Sequence, residues 1–155
     1  MFRLAYMADH PTFIPTLAKW HFAEWGHLRP GDSIERRIIR LTEASRRREI
    51  PTVVIARDGE QLLGAAMLVA NDMSMRPDLI PWIAGVFVAP EQRGQGIGAA
   101  LVQRVIAEAK ALQQPRLYLY TFSTEKYYER LGWELVERTN YLGSEVTIMS
   151  YDCTK

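Results

Sequence analysis

Arg93-Gly94-Gln95-Gly96-Ile97-Gly98-Ala99 lies between an apolar run, Trp82 to Ala89, and a stretch with helical periodicity that continues to Lys110. Glycine weakens a helix, so three of them alternating across its first turn need a reason. A helix start leaves backbone N–H groups unpaired and carries partial positive charge, which makes it an anion site that phosphate commonly uses. Glycine also removes the β-carbon that would hold a ligand off the backbone. The pattern therefore suggests a diphosphate cradle; the alternative is a tight turn that needs glycine only for its own dihedrals. Two familiar phosphate loops are excluded by residues they require. A nucleoside-triphosphate loop ends in Gly-Lys-Ser/Thr, but Gly98 is followed by Ala99-Ala100. A dinucleotide fold uses Gly-x-Gly-x-x-Gly and an acid closing the next strand, whereas "RLYLYTF" contains none.

Two motifs together carry a resemblance. "VFVAPEQRGQGIGAAL" resembles the acyl-CoA-binding motif of the GNAT superfamily of N-acetyltransferases, with Arg93, Gly96 and Gly98 matching its Gln/Arg-x-x-Gly-x-Gly/Ala core. The preceding Val-x-Val-x-Pro-x-x-Arg also fits. "LYLYTFSTEKYYERLGWE" is similar to the family's second hallmark, a strand and a helix ending in Tyr-x-x-x-Gly-Phe/Trp, here Tyr128, Gly132 and Trp133. The resemblance implies an α/β fold: a mixed, mostly antiparallel central sheet of about seven strands flanked by about four helices. It implies acetyl-CoA as cosubstrate, with Arg93 and the amides of Gly94, Gln95, Gly96, Ile97, Gly98 and Ala99 at its pyrophosphate. Val86, Phe87 and Val88 would line the pantetheine arm where the fourth and fifth strands splay apart. The Val88 amide would polarise the thioester carbonyl, as an oxyanion site does. Thr121 stands where many relatives carry asparagine, and its hydroxyl is left to bond pantetheine or a backbone group.

The reaction so implied is attack of a primary amine on the thioester, through a tetrahedral intermediate, with release of the CoA thiolate. Tyr128 occupies the place of the family's general acid. Free tyrosine has a pKa of about 10 and a free thiol about 8.5, so a hydrogen bond to the departing sulfur is a better description than full proton transfer. Tyr127, about a third of a turn away, reads as packing. The attacking amine must be neutral, so a base is expected. "WIAGVFV" has no glutamate, and Glu24, His21, Asp72, Asp78 or a water relay are the available choices. The resemblance places the acceptor against the first two helices and "NDMSMRPDLIPW"; Trp20 and Trp25 in that region read as core. Small-molecule amine, peptide N-terminus and protein lysine all remain open as acceptors. Two further readings also remain: a CoA-binding sensor without turnover, and a structural domain whose glycines serve only a turn.

These residues must be positioned by a definite run of elements. "FRLAYM" alternates as a first strand, and Pro11 to Leu28 reads as a helix broken by "RPGD". Asp32 and Glu35 have the form of a capping box opening a second helix through about Arg48. "RDGE" between "TVVIA" and "LLGAAMLVA" is a hairpin signal. "WIAGVFVA" reads as a strand buried on both faces, followed by the glycine-led helix, the strand "RLYLYTF", and a short helix with Ser123 or Thr124 as cap and Gly132 as stop. "WELVERTNYLG" and "SEVTIMSYDC" would close the sheet as a hairpin.

Composition sets outer limits. With 155 residues, 48% hydrophobic and 24% charged, the chain suits one globular domain over residues 1–155. A net charge of +1 gives no grip on nucleic acid, and the Arg36-Arg37 and Arg46-Arg47-Arg48 runs read as solvated helix faces. Cys153 alone permits no internal disulfide, which fits a reducing, cytoplasmic setting, and no long apolar run suggests a membrane. His10, His21 and His27 lack metal-site spacing. A monomer or homodimer is expected.

Overall fold

The computed structural model describes all 155 residues. In chain order the elements are β1 (Arg3–Tyr6), α1 (Ile14–Trp25), α2 (Ile34–Ala44), β2 (Thr52–Asp58), β3 (Gln61–Val69), β4 (Trp82–Val88), α3 (Ile97–Ala111), β5 (Arg116–Thr121), α4 (Glu125–Arg130), β6 (Glu134–Tyr141) and β7 (Ser144–Asp152). The seven strands form one sheet in the order β1-β2-β3-β4-β5-β7-β6. Every neighbouring pair is antiparallel except β4 and β5, which run parallel. The expected mixed, mostly antiparallel sheet with four helices is therefore observed.

The helices divide between the two faces. On one, α3 presents Ile97, Leu101, Val105 and Ala109 at helical spacing to a core that includes Val54, Ala66, Ile83 and Leu119. On the other, Leu17 of α1 and Leu41 of α2 pack on Val53, Ile55 and Ala65. A third cluster, with Trp82, Ile148, Met73 and Leu79, sits beneath the connection from β3 to β4. Asn71 gives that connection its shape: its amide nitrogen donates to the carbonyls of Arg76 (3.0 Å) and Leu79 (3.2 Å), and its oxygen accepts from Met73 N–H (3.1 Å). No helix is long and apolar enough to cross a membrane.

Four local expectations are corrected. The second helix is capped by Ser33, whose hydroxyl accepts from Arg36 N–H at 3.1 Å, and it ends at Ala44, short of Arg48. Asp32 is used differently: its carboxylate, with the side chain only 2% exposed, takes Ser33 N–H and pairs with Arg37 and Arg40. Arg37 is accordingly 13% exposed and does not lie on a solvated face. The first helix starts at Ile14, because residues 11–13 form a separate 3-10 turn. In β4 only Trp82 and Ile83 are buried, and Ala84 to Val88 are half-exposed despite their apolar types.

The half-exposure of β4 has a geometric cause. Its parallel pairing with β5 is confined to Trp82 opposite Tyr118, next to a bond from Tyr118 N–H to the Pro81 carbonyl at 3.0 Å. Beyond that point the strands part. On its other side β4 carries a bulge: Phe87 pairs with Ala65 and Ala84 with Met67, so Gly85 and Val86 together face Ala66. Gly85 holds φ +59°, and a β-carbon there would lie 3.0 Å from the His21 ring and 3.3 Å from the Met67 sulfur. Bulges bend a strand and increase its twist, which turns the end of β4 out of the path of β5.

Gly59 offers a control, since it also has φ +59° but nothing within 4 Å of an added β-carbon. Gly59→Ala should lose only the backbone term, roughly 1–2 kcal/mol, whereas Gly85→Ala should lose distinctly more in urea denaturation. Equal losses would show that the His21 contact does not constrain the bulge.

Candidate active site

Where β4 and β5 part, a cleft of about 1220 Å³ runs through the sheet. It has three regions. The turn from Gln92 to Ala99 lines one end; Val86 to Val88, Leu119 to Thr124, Tyr127 and Tyr128 line the middle. His21, Glu24, Trp25, Arg29, Asp72 and Tyr141 line the far end.

At the first end, Gly96 caps α3 in the left-handed region with φ +82°, and Gly94 has φ +80°. A β-carbon on either would meet nothing within 4 Å, so the space above the turn is open. The amides from Gly94 to Ala99 find no backbone acceptor within the chain. Such a run of outward N–H groups at a helix start is a cradle for an anion. Gly98 meets a different constraint: its β-carbon would come 3.0 Å from the Tyr127 hydroxyl. Tyr127 thus reaches the cleft and is more than packing. The Arg93 side chain turns back, its Nε donating to the Val88 carbonyl at 2.9 Å and its guanidinium lying 5.5 Å from the Phe87 ring centre. It braces the end of β4. Ile97 is buried in the core, and Gln95 is exposed outside the cleft wall.

In the middle, Ala89 N–H donates to Leu63 on β3 at 2.9 Å. Successive N–H groups of a strand alternate in direction, so the Val88 N–H points into the gap. Val86 and Val88 rest against the α3 side of the sheet, and Phe87 faces Trp20 (5.6 Å) and Trp25 (6.1 Å). Trp20 is packing, as its position suggested, but Trp25 forms cleft wall. Tyr128 is buried edge-on to Tyr127 and Trp133, with ring centres 5.3 and 6.0 Å away. Burial, helped by neighbouring Tyr127, pushes its phenol up to about 12, so it stands in the cleft as a neutral donor. Two local devices hold it there. Gly132 (φ +96°) ends α4 with Trp133 N–H bonded to the Tyr128 carbonyl at 3.0 Å and Gly132 N–H to Glu129, a Schellman stop. The Thr121 hydroxyl bonds that of Thr124 and accepts Thr124 N–H at 3.1 Å, which places the start of the helix and commits that hydroxyl to the backbone.

The far end gathers ionisable groups from five segments of the chain. His21 is 4% exposed, its Nε2 has no hydrogen-bond partner, and its ring rests on the Gly85 bulge and on Trp25 (5.2 Å). Burial, with the Arg37 charge, lowers its pKa to about 4, so it is a neutral wall residue at pH 7. Asp72, projected by the loop that Asn71 organises, is half-buried; desolvation raises it to about 7 while Arg29 pulls the other way. Tyr120 and Tyr141 meet edge to face at 5.2 Å, and Arg29 Nη2 donates to the Tyr141 hydroxyl at 3.3 Å. Of the four base candidates, Asp78 is drawn away by Arg76 at 3.0 Å and lies outside the cleft wall; Glu24 stands exposed at the rim. Arg29, Tyr120 and Tyr141 were not singled out from the sequence. The alternation of Tyr118, Tyr120 and Phe122 against Leu117, Leu119 and Thr121 in β5 was the available signal, since it puts the aromatics on one face. No group of three or more histidine, cysteine, aspartate or glutamate side chains is placed to hold a metal ion.

The sequence profile described as the acetyltransferase (GNAT) family matches residues 13–133. The chain belongs to the GNAT acetyltransferases. Solved structures agree in fold. A protein from Exiguobacterium sp. 255-15, described as a candidate acetyltransferase, is 26% identical, with 99% of this chain and 95% of that one covered and a TM-score of 0.69. An aminoglycoside 6'-N-acetyltransferase complexed with coenzyme A is 16% identical over 97% of both chains, with a TM-score of 0.76. A Salmonella typhimurium protein with acetyl-CoA as its cofactor is 17% identical over 99% of this chain and 93% of its own, with a TM-score of 0.74. No curated protein matches in sequence. In this GNAT member the parted strands, the glycine turn and Tyr128 thus occur on the family's own fold.

The two shifted groups at the far end make opposite contributions to stability. Between pH about 6.5 and 4 the unfolded chain takes up a proton that folded His21 refuses, so His21 costs stability as the solution is acidified. Between pH about 4 and 7 folded Asp72 keeps a proton that the unfolded chain has lost, so Asp72 costs stability as pH rises. Asp72→Asn should therefore raise Tm by roughly 2 °C or more above neutrality and by little near pH 4. His21→Gln should flatten the loss on the acid side. A Tm for Asp72→Asn that tracks the parent at every pH would show the carboxylate to be fully hydrated.

Proposed function

We propose that the protein transfers an acetyl group from acetyl-CoA to a primary amine by direct attack on the thioester. The observation that carries this is the run of amides from Gly94 to Ala99, free of internal acceptors and opening on the cleft between β4 and β5. The relatives solved with coenzyme A and acetyl-CoA support it through a shared fold. Bound acetyl-CoA would supply the activated acyl group, and the chain's residues would do the rest.

The glycine-turn amides would hold the diphosphate, and the half-exposed edge from Val86 to Val88 would receive the pantetheine arm as a neighbouring strand would. The Val88 N–H, aimed into the gap, would polarise the thioester carbonyl and gain strength as negative charge builds on that oxygen. Tyr128 would donate a hydrogen bond to the departing sulfur. With its phenol near 12 against a thiol near 8.5, outright proton transfer would be uphill by roughly 5 kcal/mol. Burial instead keeps it protonated and oriented throughout the physiological range. Asp72 is the group best matched to take the ammonium proton, since burial brings its carboxyl close to neutral pH, where a general base is most useful.

Saturating CoA should raise Tm by about 5–10 °C. Gly96→Val, which adds a side chain at φ +82° over the amide cradle, should abolish that shift. Tyr128→Phe should retain the shift and lose about 100-fold in turnover, followed as thiol release from acetyl-CoA over a panel of amines. A CoA-induced shift with no thiol release for any amine would make the protein a CoA-binding module without turnover. Absence of the shift in the parent protein would remove the cofactor assignment altogether.

A further inference from the structure

Arg29 stands half-buried in the far wall of the cleft and has no carboxylate within 4.0 Å; its one side-chain hydrogen bond is the 3.3 Å contact to Tyr141. A guanidinium carries five N–H donors in a rigid fork, so most of this one's capacity faces the cleft unused. The arginines beside it are not in the same position, because Asp32 is shared between Arg37 (2.7 Å) and Arg40 (2.9 Å). Arg29 also borders an adjoining hollow of about 410 Å³ that Arg36 and Arg40 line, with Asp32 as its lone acid. This end of the cleft therefore has positive charge to spare.

Asp72 lines the same cleft and makes no hydrogen bond or ion pair with any donor of the chain. Its charge acts on Arg29 without contact. Tyr120 and Tyr141 form the aromatic floor beside them. Tyr120, Thr121 and Tyr128 line the same cleft as this pair of charges. Two opposite charges held near each other, each without a partner, fit one kind of ligand. An amine alone faces the repulsion of Arg29, and an anion alone faces Asp72. A molecule carrying both charges satisfies the two at once.

We propose that this cleft selects an acceptor whose reactive amine carries a carboxylate a few bonds away, the carboxylate taken by the Arg29 fork and the ammonium by Asp72. The inference rests on the N-acetyltransferase reading and adds the substrate class. Asp72 receives one proton from the ammonium, and the freed nitrogen forms an N–C bond to the acyl carbon as the C–S bond breaks. The second nitrogen proton goes to the departing sulfur, under the Tyr128 hydroxyl, and Asp72 returns its own to solvent. The carboxylate has two chemical sources, the main-chain carboxylate of a free amino acid and the side chain of an acidic first residue in a peptide.

The test compares kcat/KM over matched acceptors: the common L-amino acids, their amides, and dipeptide amides beginning with Asp or with Asn. The carboxylate-bearing member of a pair should be favoured by about 10-fold or more, the worth of a charge-assisted hydrogen bond. Preference for free amino acids over amides assigns the main-chain source, and preference for Asp over Asn dipeptides assigns the side chain. Arg29→Met should erase the preference by raising KM for the carboxylate substrates and lowering it for the amides, which no longer face its repulsion, and Arg29→Lys should restore part of it. CoA-induced stabilisation of both variants confirms that they fold. Equal use of charged and neutral partners by the parent protein, or equal losses for both in Arg29→Met, overturns the inference and leaves the transferase reading standing. No turnover of any acceptor, with CoA still raising Tm, removes both.

Discussion

The separation of β4 from β5 is the constraint on which the rest depends. Two parallel strands in the middle of a sheet would ordinarily pair along their length, because buried N–H and C=O groups left without partners are expensive. Here pairing stops after Trp82 and Tyr118. The bulge at Gly85 re-aims one strand, β7 holds the other through Thr121, and the Trp82 cluster sits at the point where they diverge. The edge of β4 from Ala84 to Val88 is thereby left with apolar side chains half in solvent and at least one N–H without a strand to pair with. A sheet with such a gap at its centre is incomplete until something lies in it, which is why the gap and the site coincide.

The cleft also changes character along its length. One end offers only backbone amides, fixed in place by glycine geometry and the start of α3, and needs no charged side chain to attract an anion. The other end relies on side chains, Arg29, Asp72, Tyr120 and Tyr141, brought from the α1–α2 connection, the β3–β4 connection, β5 and the tip of β6. Backbone recognition suits a part of the ligand that never varies. Side-chain recognition is easily altered by substitution, which suits the part that sets specificity.

Much of this was legible in the sequence where the information is local. The alternating glycines, the Tyr128-Gly132-Trp133 spacing and the order of strands and helices each depend on a few consecutive residues. The failures are equally physical. Composition made β4 look buried on both faces, because a surface kept apolar for a ligand has the same residue types as one kept apolar for the core. Asp32 looked like a cap because its spacing to Glu35 is right, but arginines one and two turns onward compete for it, and Ser33 takes over the helix start. The cluster around Arg29 joins segments more than a hundred residues apart, as the 112-residue separation of Arg29 from Tyr141 shows. No window of sequence contains it. Only the single-face pattern of tyrosines in β5 hinted at that wall.

The shortness of α4 has a consequence of its own. A helix of six residues has too few internal bonds to persist alone, so the caps at its two ends place the backbone of Tyr128 but leave the direction of its phenol to packing. That packing comes from Tyr127 and from the indole of Trp133, which lies in the main core, meets Tyr151 at a tilt with ring centres 5.6 Å apart and keeps its N–H without a partner there. Substitutions among the residues that seat this indole, far from any ligand, would therefore tilt the phenol before they unfolded the protein. In this fold the aim of that hydroxyl into the cleft depends on how well a tryptophan is packed.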